Sequence, residues 1–385
     1  MKLIQFTRIL DQSSGIGRVA SELNTTLKKN GHDVINYCIY KNEKQDFGKG
    51  KVIVIPVVYK IEKYLGKWLG KAISVFLFDI ITSILSLAHR KDVKLYNGCG
   101  YNNGIQVGHS CHLQALKTKV NNGSFSWIIN PLHYTCILRE FIVFKILKRQ
   151  FLVAISQKVK HEFITNYSFP SECIKVIPNG VDVSKFKPEQ LNRDLKQRLG
   201  IPFDKKIFIF VGNEFQRKGL KIILNGIAHC DKKSLENITL LIISRDNPDE
   251  YIKQAKKIGI YDICIFLGEI KNVSPYFNIS DFAFLMSDYE PFGLVGIEAM
   301  ASGNILLSTG VDGIADYLID GENGYITPRT SEHVTHVVTQ CLNLEVDVKN
   351  NMLINAYNTA QSYAWDKIAL EYSEVISKYK KEYCK

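Results

Sequence analysis

Disulfide and zinc frameworks find no support in this chain, because its nine cysteines are odd in number and include no Cys-x-x-Cys pair, the spacing on which such frameworks draw. Proline is scarce, 10 in 385 residues, and no low-complexity tract or solenoid-period repeat occurs, which excludes collagen-like, proline-rich and repeat architectures. Long apolar runs are missing too. The nearest, Ala72 to Ala88, is broken by Asp79, Thr82 and Ser83 and falls short of the ~20 apolar residues a spanning helix needs. The N-terminus reaches Asp11 before any apolar region of signal-peptide length, so a cytoplasmic, reduced protein is expected. No Asp-x-Asp triplet is present, and no metal-binding set is expected.

Acidic residues are sparse in one half only. Residues 1–170 hold 10 Asp and Glu against 24 Lys and Arg, whereas 171–385 hold 28 against 25, so the first half carries the whole net charge of +11. A positive field on one domain suits an anionic partner such as a phospholipid surface, a phosphorylated acceptor or nucleic acid.

What the chain has is the balance of an ordinary globular protein, 46% hydrophobic and 23% charged, at a length that predicts two domains. Lys2 to Phe6 reads as a buried strand, followed by a polar loop through Gly17 and a helix with Val19, Leu23 and Leu27 at helical spacing. Strand-like runs follow at Val34 to Tyr40, Val52 to Val58, Val93 to Tyr96 and Phe151 to Ile155. The alternation restarts with Lys206 to Val211, Ile238 to Ile243, Ile263 to Phe266, Asp281 to Met286 and Ile305 to Ser308. Strands separated by helices give parallel sheets. The expected division is 1–170, 171–362 and a terminal helix over 363–385 crossing back to the first domain. Ile177-Pro178-Asn179-Gly180-Val181-Asp182 and the polar stretch to about Arg198 form the expected connection.

Ligands of open parallel sheets sit beyond the carboxyl ends of the strands. Gly15-Ile16-Gly17-Arg18-Val19-Ala20 fits the G-x-G-x-x-A fingerprint by letter, but eight residues separate it from Phe6 and no ribose-binding acid follows the second strand. A glycine segment approaching a phosphate or sugar suits it better than a dinucleotide site. The densest region is Ser287 to Thr327, where Glu290 lies in a loop past a strand and Glu298 falls inside the next helix, with Phe292, Gly293, Leu294 and Val295 between. A loop carboxylate beside a helix N-terminus offers acceptors for hydroxyls and amide donors for phosphate.

That segment, SDYEPFGLVGIEAMASGNILLSTGVDGIADYLIDGENGYIT, resembles the nucleotide-sugar signature of the retaining glycosyltransferases of family 4, whose two glutamates likewise have seven residues between them. Further matches are GHDV at 31–34, VAIS at 153–156, VIPNGVDVSKFKP at 176–188, VGNEFQRKGL at 211–220 and YAWDKIALEYSEVISKY at 363–379. The resemblance implies the GT-B fold: α/β, two Rossmann-like parallel-sheet domains facing a central cleft, with the acceptor held by the first and the nucleotide sugar by the second. It implies transfer of a sugar from a nucleoside diphosphate donor, UDP above others, to a glycan or lipid-linked acceptor with retention, in lipopolysaccharide or other surface-polysaccharide synthesis. Glu290 would bond the donor sugar, Phe292 to Val295 would offer backbone amides, and Glu298 would take the ribose hydroxyls. Arg217 and Lys218 would stabilise the departing diphosphate, replacing a divalent ion. No cofactor is expected. Most members carry Arg directly after the strand glycine, where this chain has Asn213 and displaces the basic residue to Arg217, as the lipopolysaccharide core glucosyltransferase branch resembles.

In the first domain IQVGHSCHLQAL at 105–116 lies where such enzymes keep a His or Asp near the reacting sugar, making His109 and His112 the candidates to orient donor or acceptor, with His133 behind them. Tyr59 to Lys71 interleaves lysines 60, 63, 67 and 71 with Tyr64, Leu65, Trp68 and Leu69, and FIVFKILKRQF at 141–151 repeats the flavour. This is the pattern of an interfacial membrane helix, or of a core-packed helix with extended lysines. The basic domain favours a peripheral place on the cytoplasmic face of an anionic membrane, with no nucleic-acid partner. Two other readings stay open: a sugar-nucleotide epimerase of the same fold, and a non-catalytic basic module binding membrane or nucleic acid.

Overall fold

The computed structural model describes residues 1–11, 15–41, 51–121, 123, 125–147, 151–190 and 192–383. The chain divides into two units, Met1–Gly180 with Trp365–Lys385, and Val181–Ala364.

In the first unit a seven-stranded sheet contains β1 (Lys2–Thr7), β2 (Asp33–Cys38), β3 (Val52–Val54), β4 (Val93–Asn97), β5 (Ile105–Gly108), β6 (Phe151–Ala154) and β7 (Ile174–Val176). Its order is β3-β2-β1-β4-β5-β6-β7, every pairing parallel. Register brings Phe6 beside Tyr37 and Tyr96, and its ring stacks on both, at 5.2 and 5.1 Å between centroids. With Ile4, Phe78 and Cys99 they form one face of the core.

Several local expectations shift. The run expected as a strand over Val52 to Val58 ends at Val54, and a helix over Pro56–Leu65 follows, because proline at the first helical position loses no bond and presets φ. Ile105–Gly108 and Ile174–Val176, too short to stand out as apolar runs, are strands of this sheet. The second of them carries the first unit past residue 170, to Gly180. Gly15 and Gly17 lie in the first turn of the helix Gly15–Lys29 rather than in a preceding loop.

The segment after β3 is a helix, a π-helical turn over Gly66–Gly70 and the helix Lys71–Leu87. Counted together, Trp68–Leu87 is long and apolar enough by length and composition to cross a membrane, longer than the run read from the sequence because the π turn extends it. Its Ala72, Val75 and Phe78 are buried. Asp79, 1% exposed, accepts from Gly100 N at 2.9 Å and lies 3.6 Å from the Arg139 guanidinium, so polar pairing pins this helix to its own unit. Trp365 packs over Gly180, where a Cβ would meet its ring at 2.4 Å, and the helix Trp365–Tyr383 returns to the helix Gly15–Lys29, with His32 and Ser373 3.1 Å apart.

The second unit repeats the design with β8 (Lys206–Val211), β9 (Ile238–Ile243), β10 (Cys264–Gly268), β11 (Phe282–Leu285), β12 (Ile305–Ser308) and β13 (Gly324–Ile326). Their order is β10-β9-β8-β11-β12-β13, again parallel throughout. Phe208, Phe210, Phe282 and Phe284 with the helix Leu220–Ala228 build a continuous core. In both sheets the strand order reverses beside the first strand, and the crevice at that switch point is where ligands of such sheets bind.

Candidate active site

At the switch point of the second sheet, β8 and β11 lie side by side and their following loops bring the charged residues together. The β8 loop turns back at Gly219, whose φ of +76° places its backbone where a Cβ would be 2.5 Å from Met286 O; only glycine allows that approach. Lys218, on this turn, is 7% exposed. Its ammonium lies 3.8 Å from a Glu290 carboxylate oxygen, and an Arg217 terminal nitrogen lies 3.2 Å from the same oxygen. Arg217 also donates to Tyr289 O at 2.5 Å and pairs through Nε with Glu214.

Glu290 is held from three further directions. Ser287 Oγ donates to its carboxylate at 3.1 Å, its own amide donates to Asp312 Oδ2 at 2.9 Å, and its carbonyl accepts from Gly313 N at 3.1 Å. Burial alone would raise the Glu290 carboxyl, but the Lys218 and Arg217 charges overcome it and hold the group below the ordinary carboxylate range. Burial lowers the Lys218 ammonium despite Glu290. Burial also opposes the charge on Arg217, yet Glu290 and Glu214 raise it. The result is two cations, Lys218 and Arg217, fixed on the Glu290 carboxylate, with Glu214 on the Nε side of Arg217.

Three residues beyond Glu290, Gly293 with φ +84° caps the helix Leu294–Ala301, so Phe292 to Val295 form its entry, where amides lack intrahelical partners. Tyr317 supports this entry from behind: its hydroxyl donates to Gly293 O at 2.9 Å, and its ring packs against Phe292 and Tyr363. Glu298 follows one turn on, 2% exposed. Asn213 sits at the start of the β8 loop with its side-chain oxygen accepting from Arg245 N at 3.1 Å. Thus the sequence-chosen Arg217, Lys218 and Glu290 are in contact, Phe292 and Gly293 lead into the helix that follows, and Leu294, Val295 and Glu298 lie in it.

Gly15, Gly17, His109 and His112 belong to the first unit. The two histidines serve different networks. His109, just past β5, lies 3.2 Å from Asn97 Oδ1 at the end of β4, and burial pushes its imidazole down to about 4. His112 opens the helix His112–Asn121; its amide donates to the Glu140 carboxylate at 2.8 Å, and its ring nitrogen lies 2.9 Å from His133 Nδ1. Burial first, and His133 second, push His112 down to about 3. Both rings are therefore neutral near pH 7.

The residues that position the cluster were not legible in advance. Asp246 accepts from Phe215 N at 3.1 Å, Asp312 accepts from the Glu290 amide at 2.9 Å, and the Tyr317 hydroxyl donates to Gly293 O at 2.9 Å. Their partners lie between 22 and 31 residues away, and no spacing rule encodes such pairs. Among the described residues no group of three or more metal-ligating side chains is assembled.

Two parallel-sheet domains of Rossmann type are the fold of the GT-B class. Residues 192–359 match the glycosyl transferases group 1 family and residues 13–185 match Glycosyltransferase Family 4. The chain belongs to the family 4 glycosyltransferases. It is 26% identical over 232 residues to an uncharacterized glycosyltransferase, MJ1607, of Methanocaldococcus jannaschii, covering 57% of this chain and 58% of that protein, so the match spans little more than half of that relative. The crystal structure of WaaG, a glycosyltransferase involved in lipopolysaccharide biosynthesis, superposes with a TM-score of 0.79 at 19% identity over 97% of this chain and 99% of that one. Anabaena Alr3699/HepE in complex with UDP and glucose gives 0.71 at 18% identity over 98% of this chain and 100% of that one.

Proposed function

We propose that this protein transfers a sugar from a nucleoside diphosphate donor, UDP-sugar above others, to a glycan or lipid-linked acceptor with retention of anomeric configuration. The contact of Lys218 and Arg217 with Glu290 at the switch point of the second sheet carries the reading. In the reaction the acceptor hydroxyl attacks the anomeric carbon on the face that the diphosphate leaves. The bond from that carbon to the diphosphate oxygen breaks, the new glycosidic bond forms, and the hydroxyl proton passes to the departing diphosphate. Arg217 and Lys218 meet the negative charge that develops on the leaving group, a preorganised stabilisation worth typically ~10²-fold or more in rate per group. Glu290 orients the sugar and keeps both cations in place, the first amides of the helix Leu294–Ala301 face phosphate, and Glu298 accepts from ribose hydroxyls. His109 or His112, neutral near pH 7, orients the sugar or acceptor. The likeness to WaaG supports a lipopolysaccharide or related surface glycan as product, and the UDP and glucose bound by HepE support the choice of donor.

The acceptor reading includes a membrane surface. Tyr64, Trp68 and Leu69, 90%, 50% and 53% exposed, project from a segment that also carries Lys60 and Lys63 in exposed positions. Phe141 and Ile146, exposed beside Lys145, repeat the pattern; Lys148, Arg149 and Gln150 lie outside the described residues. Aromatic and aliphatic groups among lysines bind an anionic interface.

The test is release of nucleotide from a panel of nucleoside diphosphate sugars, with and without a lipid-linked glycan acceptor, and determination of the product anomer. Acceptor-dependent release with retention supports the proposal. Conversion of the sugar nucleotide without acceptor identifies an epimerase, and inversion overturns the mechanism. Sedimentation with anionic liposomes, weakened by salt and by Trp68→Ser, tests the membrane part; no sedimentation at low salt removes it.

A further inference from the structure

We propose that Arg329 is a positioning residue that fixes Arg217 and Lys218 relative to Glu290. This rests on the reading of those cations as the groups that meet the donor diphosphate. Arg329 follows β13, and its guanidinium reaches three backbone carbonyls: Nε donates to Met286 O at 2.9 Å, and one terminal nitrogen donates to Gln216 O at 2.8 Å and Arg217 O at 3.2 Å. Met286 lies directly past β11, on the loop that leads to Glu290; Gln216 and Arg217 belong to the β8 loop. One side chain therefore ties together the two loops whose charged residues make the cluster.

The β8 loop is a single helical turn. Lys218 N donates to Glu214 O, Gly219 N to Gln216 O and Leu220 N to Phe215 O. Asp246 accepts from the Glu214 and Phe215 amides at its start, while Arg329 serves the carbonyls of Gln216 and Arg217 at its end. A carboxylate at the amide end and a guanidinium at the carbonyl end match the dipole of the turn and satisfy groups that a one-turn segment leaves unpaired. A backbone tie, Asp288 N to Arg217 O at 3.1 Å, joins the same two loops but reaches one carbonyl only, and the bond to Tyr289 O is made by the Arg217 side chain itself. Arg329 itself contacts neither Glu290 nor the Lys218 ammonium through any of these bonds, so it acts through the backbone. A misplacement of about 1 Å in such groups costs ~10²-fold in rate.

The experiment combines amide hydrogen exchange over residues 214–220 of the ligand-free full chain with calorimetric titration of UDP, for wild type, Arg329→Met, Arg329→Lys and Lys218→Ala. Arg329→Met is expected to speed local exchange by about tenfold or more and to weaken UDP by a similar factor, with exchange in the first unit unchanged and Arg329→Lys recovering part of both losses. Wild-type exchange rates in Arg329→Met overturn the clamp. So does unchanged UDP affinity in Arg329→Met when Lys218→Ala weakens it. Faster exchange in Arg329→Met together with unchanged UDP affinity in Lys218→Ala overturns the donor-site reading and leaves the mechanical clamp standing. If Arg329→Met fails to fold, Arg329→Gln takes its place under the same criteria.

Discussion

Lys218 lies across the backbone of Gly212, so closely that a Cβ on that glycine would sit 2.6 Å from both its Cδ and its Nζ. Gly212 also has φ +148°, a conformation that L side chains rarely adopt. The glycine after β8 thus makes the room in which the buried ammonium reaches Glu290. Gly212→Ala is expected to displace Lys218 and to lower transfer by ~10²-fold, as Lys218→Ala does, with the far-ultraviolet circular dichroism of the wild type. Steady-state turnover of both variants checks this, and full activity in Gly212→Ala would show that the ammonium has no catalytic place there.

Glu290→Gln keeps the shape of the side chain and removes its charge. Lys218 then lies buried without its carboxylate and Arg217 keeps only Glu214, and breaking such a pair from one side costs roughly 3 kcal/mol. The folded carboxyl titrates below its ordinary value, so its contribution to stability is complete above the unfolded-state value and is lost as pH falls through the lower folded value. The variant is expected to lose that acid-side dependence along with its activity. Urea denaturation across pH 3 to 7 measures the stability loss and its pH dependence, and steady-state turnover measures the activity.

How much of this was readable from the chain differs by level. Strands such as Lys206–Val211 and Ile238–Ile243 are uninterrupted apolar runs because both faces of a parallel sheet are covered, and they stand out without a structure. Ile105–Gly108 and Ile174–Val176 do not, since three or four residues carry no period. Glu290 and Lys218 were singled out through the resemblance of their segments to those of the family 4 glycosyltransferases. Arg329, Asp246 and Tyr317 act on backbone groups across loops, where any donor or acceptor of suitable reach would serve, so the sequence holds no pattern for them.

Tyr317 offers a gentler perturbation. Tyr317→Phe removes the hydrogen bond to Gly293 O and leaves the ring packing on Phe292 and Tyr363. A loss of about 1 kcal/mol in stability is expected, with weaker nucleotide binding because the helix entry loosens. Unchanged nucleotide affinity in this variant would detach the aromatic support from the donor site.

The first unit predicts its own acid response. His109 and His112 are held neutral by burial, at about 4 and about 3 in the folded chain against an ordinary 6.5. The unfolded chain binds more protons between those values, so the stabilising contribution is complete above 6.5 and is lost as pH falls toward the folded values. His112→Gln is expected to flatten part of the stability loss between pH 6.5 and 4. Thermal melts of wild type and variant over that range test it; identical slopes would contradict the buried, neutral imidazole.

The most direct measurement of the central claim is thermal stabilisation by UDP, GDP, ADP and CMP and their sugar conjugates, with EDTA present, for wild type, Lys218→Ala and Glu298→Ala. Ligand at ~100 times its dissociation constant adds about 2.7 kcal/mol. A selective rise with UDP or a UDP-sugar, absent from both variants, is the predicted result. A wild-type melting temperature unmoved by every nucleotide, or a shift that survives both substitutions, would contradict a donor site at the carboxyl end of the second sheet.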